Sequence, residues 1–223
     1  MAVLVLLVAI VGCVLAKPSS ENVKPVEVTF YYSVFFHHAI TKGLLPAYTD
    51  TKFNYSSLIS KLTLVPFSWA YNANQTTYNF KTKRGQFESD GNRLRSCATK
   101  YIPDVLTTLN YISCLEKLEK HQQGYAPFEF GIPPKYPIDK CKNKLPAGLY
   151  PKIINCYRSD EGWELYEENK EKSKPLLPKA GTIPFPYVSF NDEHDDVLAQ
   201  DAVDNFKSTL CKVTGVVDKA CSL

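Results

Sequence analysis

The sequence predicts an α/β fold stapled by disulfides, with a long helical block inserted between its strands. Three observations carry this. The chain opens, after an apolar leader, on a strand–helix–strand pattern. Arg93 to about Lys120 and Pro146 to about Lys172 read as helical. Six cysteines remain once the leader is set aside. The 223 residues, 44% hydrophobic and 22% charged, suffice for one sizeable domain with a real core. A net charge of +3 is too small to argue for nucleic acid, and none is expected as a partner. The 15 prolines cut the chain into short elements.

Residues 1–16, MAVLVLLVAIVGCVLA, have no charged side chain, although a secretory leader usually begins with Lys or Arg. They end in the small-residue pattern Val14-Leu15-Ala16 and turn polar at Lys17. This reads as a signal peptide; the rival is an uncleaved anchor, for which the run is short. Residues 17–223 then form a single domain. No second long apolar segment follows, so no transmembrane anchor is expected.

Val26–Tyr32 (VEVTFYY) alternates and is rich in strand formers, which predicts the first strand. Residues 37–48 read as a helical segment bent near Gly43 and Pro46, and Ser56–Lys61 as a further turn. Leu62–Phe67 (LTLVPF) is the second strand, limited at one end by Pro66. The strand–helix–strand opening implies a parallel pair with a right-handed crossover. Residues 71–92 are polar and turn-rich, with Gly85 and Gly91. From Arg93 to about Lys120, apolar residues from Leu94 to Leu118 recur at steps of three and four, and Pro103 divides them into two helices. Residues 124–138 are a loop rich in Pro and aromatics. Pro146 to about Lys172 is a third helical stretch, and 175–186 an extended connection. Tyr187–Phe190 is a short strand, and Val197 to Val213 a closing helix.

Cys13 leaves with the leader. Cys97, Cys114, Cys141, Cys156, Cys211 and Cys221 are an even set, and in an oxidising compartment they imply three disulfides. Fifteen connectivities are open; spacing favours the local pairs Cys97–Cys114, Cys141–Cys156 and Cys211–Cys221. Zinc is disfavoured, because no two of these cysteines are within four residues. Asn54-Tyr-Ser and Asn74-Gln-Thr are both glycosylation sequons.

The stretch Thr82-Lys-Arg-Gly85-Gln-Phe-Glu88-Ser89-Asp-Gly-Asn92-Arg-Leu-Arg-Ser-Cys97 resembles the signature C-Q-H-G-x-x-E-C-x-x-N-x-x-x-x-C of the gamma-interferon-inducible lysosomal thiol reductase (GILT) family. Gly85, Glu88, Asn92 and Cys97 fall in register without a gap. Leu64-Val65-Pro66-Phe67 is similar to the family's second strand. Cys114, Cys141 and Cys156 sit at similar spacing in its helical insertion, about 93–175, and the Cys211–Cys221 tail is similar to its end. Pro186-Tyr187-Val188 resembles the strand entry that carries a cis-proline. The resemblance covers roughly residues 26–221 and implies a thioredoxin-like fold with an inserted helical subdomain.

The departures bear on activity. Thr82 and Ser89 stand where the signature has Cys, and Lys83 and Arg84 where it has Gln and His. The family's C-x-x-C follows the first strand; matching Tyr31-Tyr32 places its two cysteines at Phe36 and Ala39. No cysteine occurs between Cys13 and Cys97, so the conclusion survives any local shift. Disulfide reduction needs a thiolate to attack and a second thiol to resolve the mixed disulfide. Phe and Ala supply neither.

His37 and His38 are adjacent and face about 100° apart on a helix, so they are not a ligand pair. Asp192-Glu-His-Asp-Asp196 lacks the spacing and Gly of a calcium loop and reads instead as a cap on the last helix. No nucleophile-elbow motif occurs. Neither a metal nor another cofactor is expected. Lys81, Lys83, Arg84, Arg93 and Arg95 form a basic cluster that is either solvated or suited to an anionic partner such as a sulfated glycan. Phe35, Phe36, His37 and His38 beside Pro186 and Tyr187 are the candidate binding face, with filling of the core by Phe35 and Phe36 as the alternative. Two functions stay open. One is a secreted, catalytically silent binding protein at an immune or host–microbe interface, acting on a protein or cell-surface partner. The other is a thiol–disulfide oxidoreductase with residual or rearranged cysteine chemistry. Lysosomal or endosomal residence is the alternative to release.

Overall fold

A computed structural model describes residues 23–34, 39–67, 83–122, 136–176, 186–217 and 221. Among these residues the fold is mixed α/β, with one three-stranded sheet and seven α-helices. The strands are β1 (Val26–Tyr32), β2 (Ile59–Pro66) and β3 (Tyr187–Phe190), in the order β2-β1-β3. β1 and β2 run parallel, as the opening pattern predicts, with Thr29 opposite Thr63 and Tyr31 opposite Val65. β3 is antiparallel to β1, with Tyr187 opposite Tyr31 and Phe190 opposite Val28.

Between β1 and β2 the chain makes a π-helical turn, Ala39–Leu44, and then α1 (Leu45–Thr49), with Pro46 in its first turn, where its missing N–H costs no helical bond. A 3-10 turn over Tyr55–Leu58 leads straight into β2, so β2 begins at Ile59, where the sequence pattern still suggested a helical turn.

The helical block holds α2 (Lys83–Tyr101), α3 (Val105–Gln122), α4 (Leu149–Arg158) and α5 (Asp160–Ser173). α2 starts well inside the segment that composition marked as turn-rich. Gly91 is the reason the local signal misleads. A Cβ there would lie 2.4 Å from Tyr136 Cε2 and 2.5 Å from Val34 Cγ2. The residue therefore serves helix packing and does not mark a turn. Pro103 separates α2 from α3 as expected, and Asp104 caps α3 by accepting from Thr107 N at 2.6 Å. Ser159 breaks the third helical stretch into α4 and α5. Gly162 permits the close crossing, since a Cβ there would meet Cys156 O at 2.7 Å.

The closing stretch is likewise two helices, α6 (Asp196–Asp204) and α7 (Phe206–Thr214), separated at Asn205, whose Oδ1 accepts from Ser208 N. The acidic run before it does what its position suggests. Asp195 caps α6, accepting from Val197 N at 2.9 Å and Leu198 N at 3.0 Å.

One sheet face, with Val28, Phe30, Tyr32, Val188 and Phe190, packs on Ile40, Leu44, Leu109, Ile112, Phe206 and Leu210. The other carries Tyr31, Val65 and Tyr187 against Leu176 and Ala199. A separate core, built on Leu94, Tyr111, Leu115 and Ile153, holds the helical block together and takes in Val34. α3 belongs to both cores, which ties the block to the sheet.

Two local disulfide pairings are overturned. The bonds are Cys97–Cys156, Cys114–Cys141 and Cys211–Cys221, with Cα separations of 5.9, 6.0 and 5.8 Å. Cys97 does not reach Cys114, nor Cys141 Cys156. α2 packs along α4, which sets Cys97 opposite Cys156, while α3 packs on the turn at Lys142–Lys144, which sets Cys114 beside Cys141. Sequence distance does not rank pairings in a helical block, because helix packing decides which side chains meet. The tail pair Cys211–Cys221 is as expected.

Candidate functional site

β1 ends at Tyr32 and delivers Ser33 and Val34, both buried, to the mouth of the fold. Phe35, Phe36, His37 and His38 lie outside the described residues. The next described residues, from Ala39, form the π-helical turn Ala39–Leu44. Glu116, buried on α3, holds the start of that turn. Its Oε1 accepts from Ile40 N at 3.2 Å, and its Oε2 from Thr41 N at 3.0 Å and Thr41 Oγ1 at 2.6 Å. A carboxylate on the free amides of a helix start is the favoured charge arrangement.

The signature helix α2 packs directly behind this strand end. Asn92 is fully buried, and its Nδ2 lies 3.5 Å from Ser33 Oγ. Glu88 is buried near Tyr166, whose hydroxyl is pushed above its usual range by burial and then by the Glu88 charge. Ser89, at a position where the signature has Cys, donates to Gln86 O at 3.0 Å, so its hydroxyl is satisfied within its own helix. Its counterpart Thr82 lies outside the described residues.

One turn beyond Asn92, Arg95 is fully buried. Its Nη2 donates to Glu119 Oε2 at 2.6 Å, and its guanidinium lies 5.4 Å from the centre of the Tyr32 ring. Tyr136 donates to the other oxygen of Glu119. Burial opposes the charged form of Glu119 more strongly than Arg95 and Tyr136 favour it, and the carboxyl is pushed up to about 7. Burial also works against the charge on Arg95, yet Glu119 and the surrounding hydroxyls hold it above the usual range. Nε and Nη1 of Arg95 and the hydroxyls of Tyr32 and Tyr111 have no hydrogen-bond partner among the described residues.

These positions revise the sequence-based candidates. Arg95 is a buried ion-pair partner, not part of a solvated basic patch. A side chain on the inner face of α2 turns away from solvent whatever its charge. Arg93 is mostly buried too, stacked on Trp163 at 3.9 Å and Tyr157 at 4.8 Å and paired with Asp90. Lys81 and the side chains of Lys83 and Arg84 lie outside the described residues. Tyr187 is 2% exposed, edge-on to Tyr31 and tilted against His194, with its hydroxyl 3.3 Å from Asp196 Oδ1. It is core, because its strand position points into the layer between the sheet and α6. Pro186 stands at the entry of β3, beside the end of β1, as the pairing of Tyr187 with Tyr31 requires. Asn54 is exposed, its Oδ1 accepting from Ser56 Oγ at 2.7 Å, and Asn74 lies outside the described residues.

Glu116, Glu119 and Tyr136 were not singled out from the sequence. A signal existed. Glu116 and Glu119 fall on the face of α3 that also carries Ile112 and Leu115, where a carboxylate needs a partner. Among the described residues no three His, Cys, Asp or Glu converge to hold a metal ion, and no helix is long and apolar enough to cross a membrane.

The end of β1, the turn held by Glu116 and the helix α2 thus pack together at one end of the sheet. The family model described as gamma interferon inducible lysosomal thiol reductase (GILT) matches residues 27–129. A gamma-interferon-inducible lysosomal thiol reductase-like protein of Anopheles gambiae is 25% identical over 183 residues, which is 78% of this chain and 69% of that protein. A gamma-interferon-inducible lysosomal thiol reductase of Carassius auratus is 24% identical over 205 residues, covering 90% and 73%. The family-model match and both relatives support GILT family membership.

Proposed function

We propose that this chain is a GILT-family protein on a thioredoxin-like scaffold that binds a partner without performing dithiol chemistry. One observation carries the reading. The chain has no cysteine from residue 14 to residue 96, and all six cysteines after that are paired in disulfides. Phe36 and Ala39 stand at the degenerate C-x-x-C positions, so no thiolate is available at the helix start to attack a substrate disulfide. The β2-β1-β3 order, with β1 and β2 parallel and β3 antiparallel, supports the thioredoxin-like core.

In this reading residues 1–16 direct secretion and 17–223 form the released domain, with glycans on Asn54 and Asn74. Residence in lysosomes or endosomes is the alternative destination. The partner is a protein or a cell-surface group such as an anionic glycan, met at an immune or host–microbe interface. With Tyr187 in the core, the binding face rests on Phe35–His38 and Pro186.

Purified chain is expected to show no free thiol and no reduction of insulin disulfides at pH 5 or pH 7. Two solvent-reactive thiols, or turnover matching a C-x-x-C relative, would overturn the reading in favour of an oxidoreductase. Phe36→Cys with Ala39→Cys is expected to introduce measurable dithiol exchange, because Glu116 still holds the start of the following helix.

A further inference from the structure

A groove of about 360 Å³ runs between β2 and the helices α2 and α5. Leu62, Thr63 and Leu64 all line it. Consecutive strand residues point to opposite faces, so a cavity touching all three lies along the strand's edge. Among the described residues β2 is one of the two edge strands of the sheet, with β1 on its only paired side.

The hydrogen-bond phase of β2 follows from two bonds. Phe67 N donates to Tyr32 O at 2.9 Å, and Asn191 N to Glu27 O at 2.8 Å. In a parallel ladder alternate residues turn both backbone groups to one neighbour. The odd-numbered residues of β2 therefore bond to β1, and Leu62 and Leu64 turn their N–H and C=O outward, into the groove. Pro66 falls on the same outward phase, where a missing N–H costs no bond to β1.

The opposite wall presents Asn169, only 6% exposed. Its Nδ2 donates to Ser96 Oγ at 2.8 Å, and Ser96 has already spent its proton on Asn92 O. This fixes the amide orientation and leaves Asn169 Oδ1 as an acceptor with no protein partner among the described residues. At the rim, Lys100 is engaged by Glu161 at 2.7 Å, whereas Lys172 makes no ion pair among the described residues, although Glu168 lines the same groove.

We infer that the outer edge of β2 is a docking site for an extended peptide, which adds as a further strand beside Leu62 and Leu64 and sets an acidic side chain against Lys172. The unpaired backbone groups supply the main-chain bonds, Asn169 Oδ1 accepts one peptide N–H, and Leu62 and Leu64 line the apolar floor. This surface lies apart from the degenerate C-x-x-C and does not depend on what that site does.

The test is an amide NMR titration of the purified chain with the blocked pentapeptide acetyl-Thr-Val-Glu-Val-Thr-amide, and with the same peptide carrying Lys at its centre. The Glu peptide is expected to saturate with a Kd of roughly 0.1–1 mM, moving the amide signals of Leu62 and Leu64. Lys172→Glu is expected to weaken it by about tenfold and to favour the Lys peptide. Leu64→Pro removes an outward N–H without touching the bonds to β1 and is expected to abolish binding. Should that variant not fold, Lys172→Glu with the two peptides still decides. The proposal is overturned by signals that move only elsewhere, by an unchanged Kd in Lys172→Glu, or by equal displacement with free glutamate. It is equally overturned if the Leu62 and Leu64 amides are already protected from exchange in the free chain, since a segment of the chain itself would then occupy the edge.

Discussion

Arg95 and Glu119 are the most consequential pair at the scale of single residues. Each is fully buried, one on the signature helix and one on α3, and they meet at 2.6 Å behind the end of β1. Desolvating two charges largely cancels their attraction, so the pair adds little net stability, but removing one member leaves the other uncompensated. Glu119→Leu is therefore expected to cost roughly 3–5 kcal/mol in urea unfolding. Adding Arg95→Met to that variant is expected to recover most of the loss, since an apolar pair of similar volume leaves no orphan charge. A double variant no more stable than Glu119→Leu would mean that Arg95 is balanced by Glu116 and the neighbouring hydroxyls. The Glu116 contacts matter in another way. They fix where the π-helical turn that follows β1 begins, by holding the amides of Ile40 and Thr41.

At the scale of elements, the helical block is held by two disulfides that join partners distant in sequence. Cys97–Cys156 ties α2 to α4, and Cys114–Cys141 ties α3 to the segment before α4. Non-reducing peptide mapping is expected to recover these two links and Cys211–Cys221. A Cys97–Cys114 peptide would contradict the packing of α2 along α4. Replacing Cys97 and Cys156 together by Ala is expected to lower stability by about 2–5 kcal/mol. The loop closed by that bond spans 59 residues, so most of the block loses its constraint in the unfolded chain. The elements were legible to different degrees. β1, β3, the break at Pro103 and the Asp195 cap could be read from local pattern, because each rests on alternation, a missing N–H or a short polar side chain. The start of α2 could not, because Gly85 and Gly91 look like turn residues until Tyr136 and Val34 are packed against Gly91.

The whole molecule carries a pH signature that follows from Glu119. Its carboxyl titrates at about 7 in the folded chain against an ordinary value near 4.5, chiefly because it is buried. The folded state then holds the proton more tightly than the unfolded state. The stability this contributes is fully present below about pH 4.5 and is lost as the pH rises through 7. Asp50, Asp104 and Glu161 are shifted the other way by hydrogen bonds to Lys207, Thr107 and Lys100, so their contributions fall away only in stronger acid. The melting temperature is expected to be higher at pH 5 than at pH 8, and Glu119→Gln is expected to flatten that difference. An unchanged slope in Glu119→Gln would place the titration on another group.

The resemblance to the GILT family, the absence of any cysteine over residues 14–96 and the parallel strand–helix–strand opening were determined by the sequence alone. Each rests on residue identity at fixed spacing: Gly85, Glu88, Asn92 and Cys97 in register, no cysteine from residue 14 to residue 96, and an alternating run before a helical one. Tertiary structure decided what depends on which helix faces meet. It paired Cys97 with Cys156, buried Arg95 against Glu119, placed Tyr187 in the core and turned the backbone N–H and C=O groups of Leu62 and Leu64 away from β1, along a groove. Side-chain chemistry states what a residue can do, but burial and partner are properties of the packed interface, and residues far apart in the chain set them.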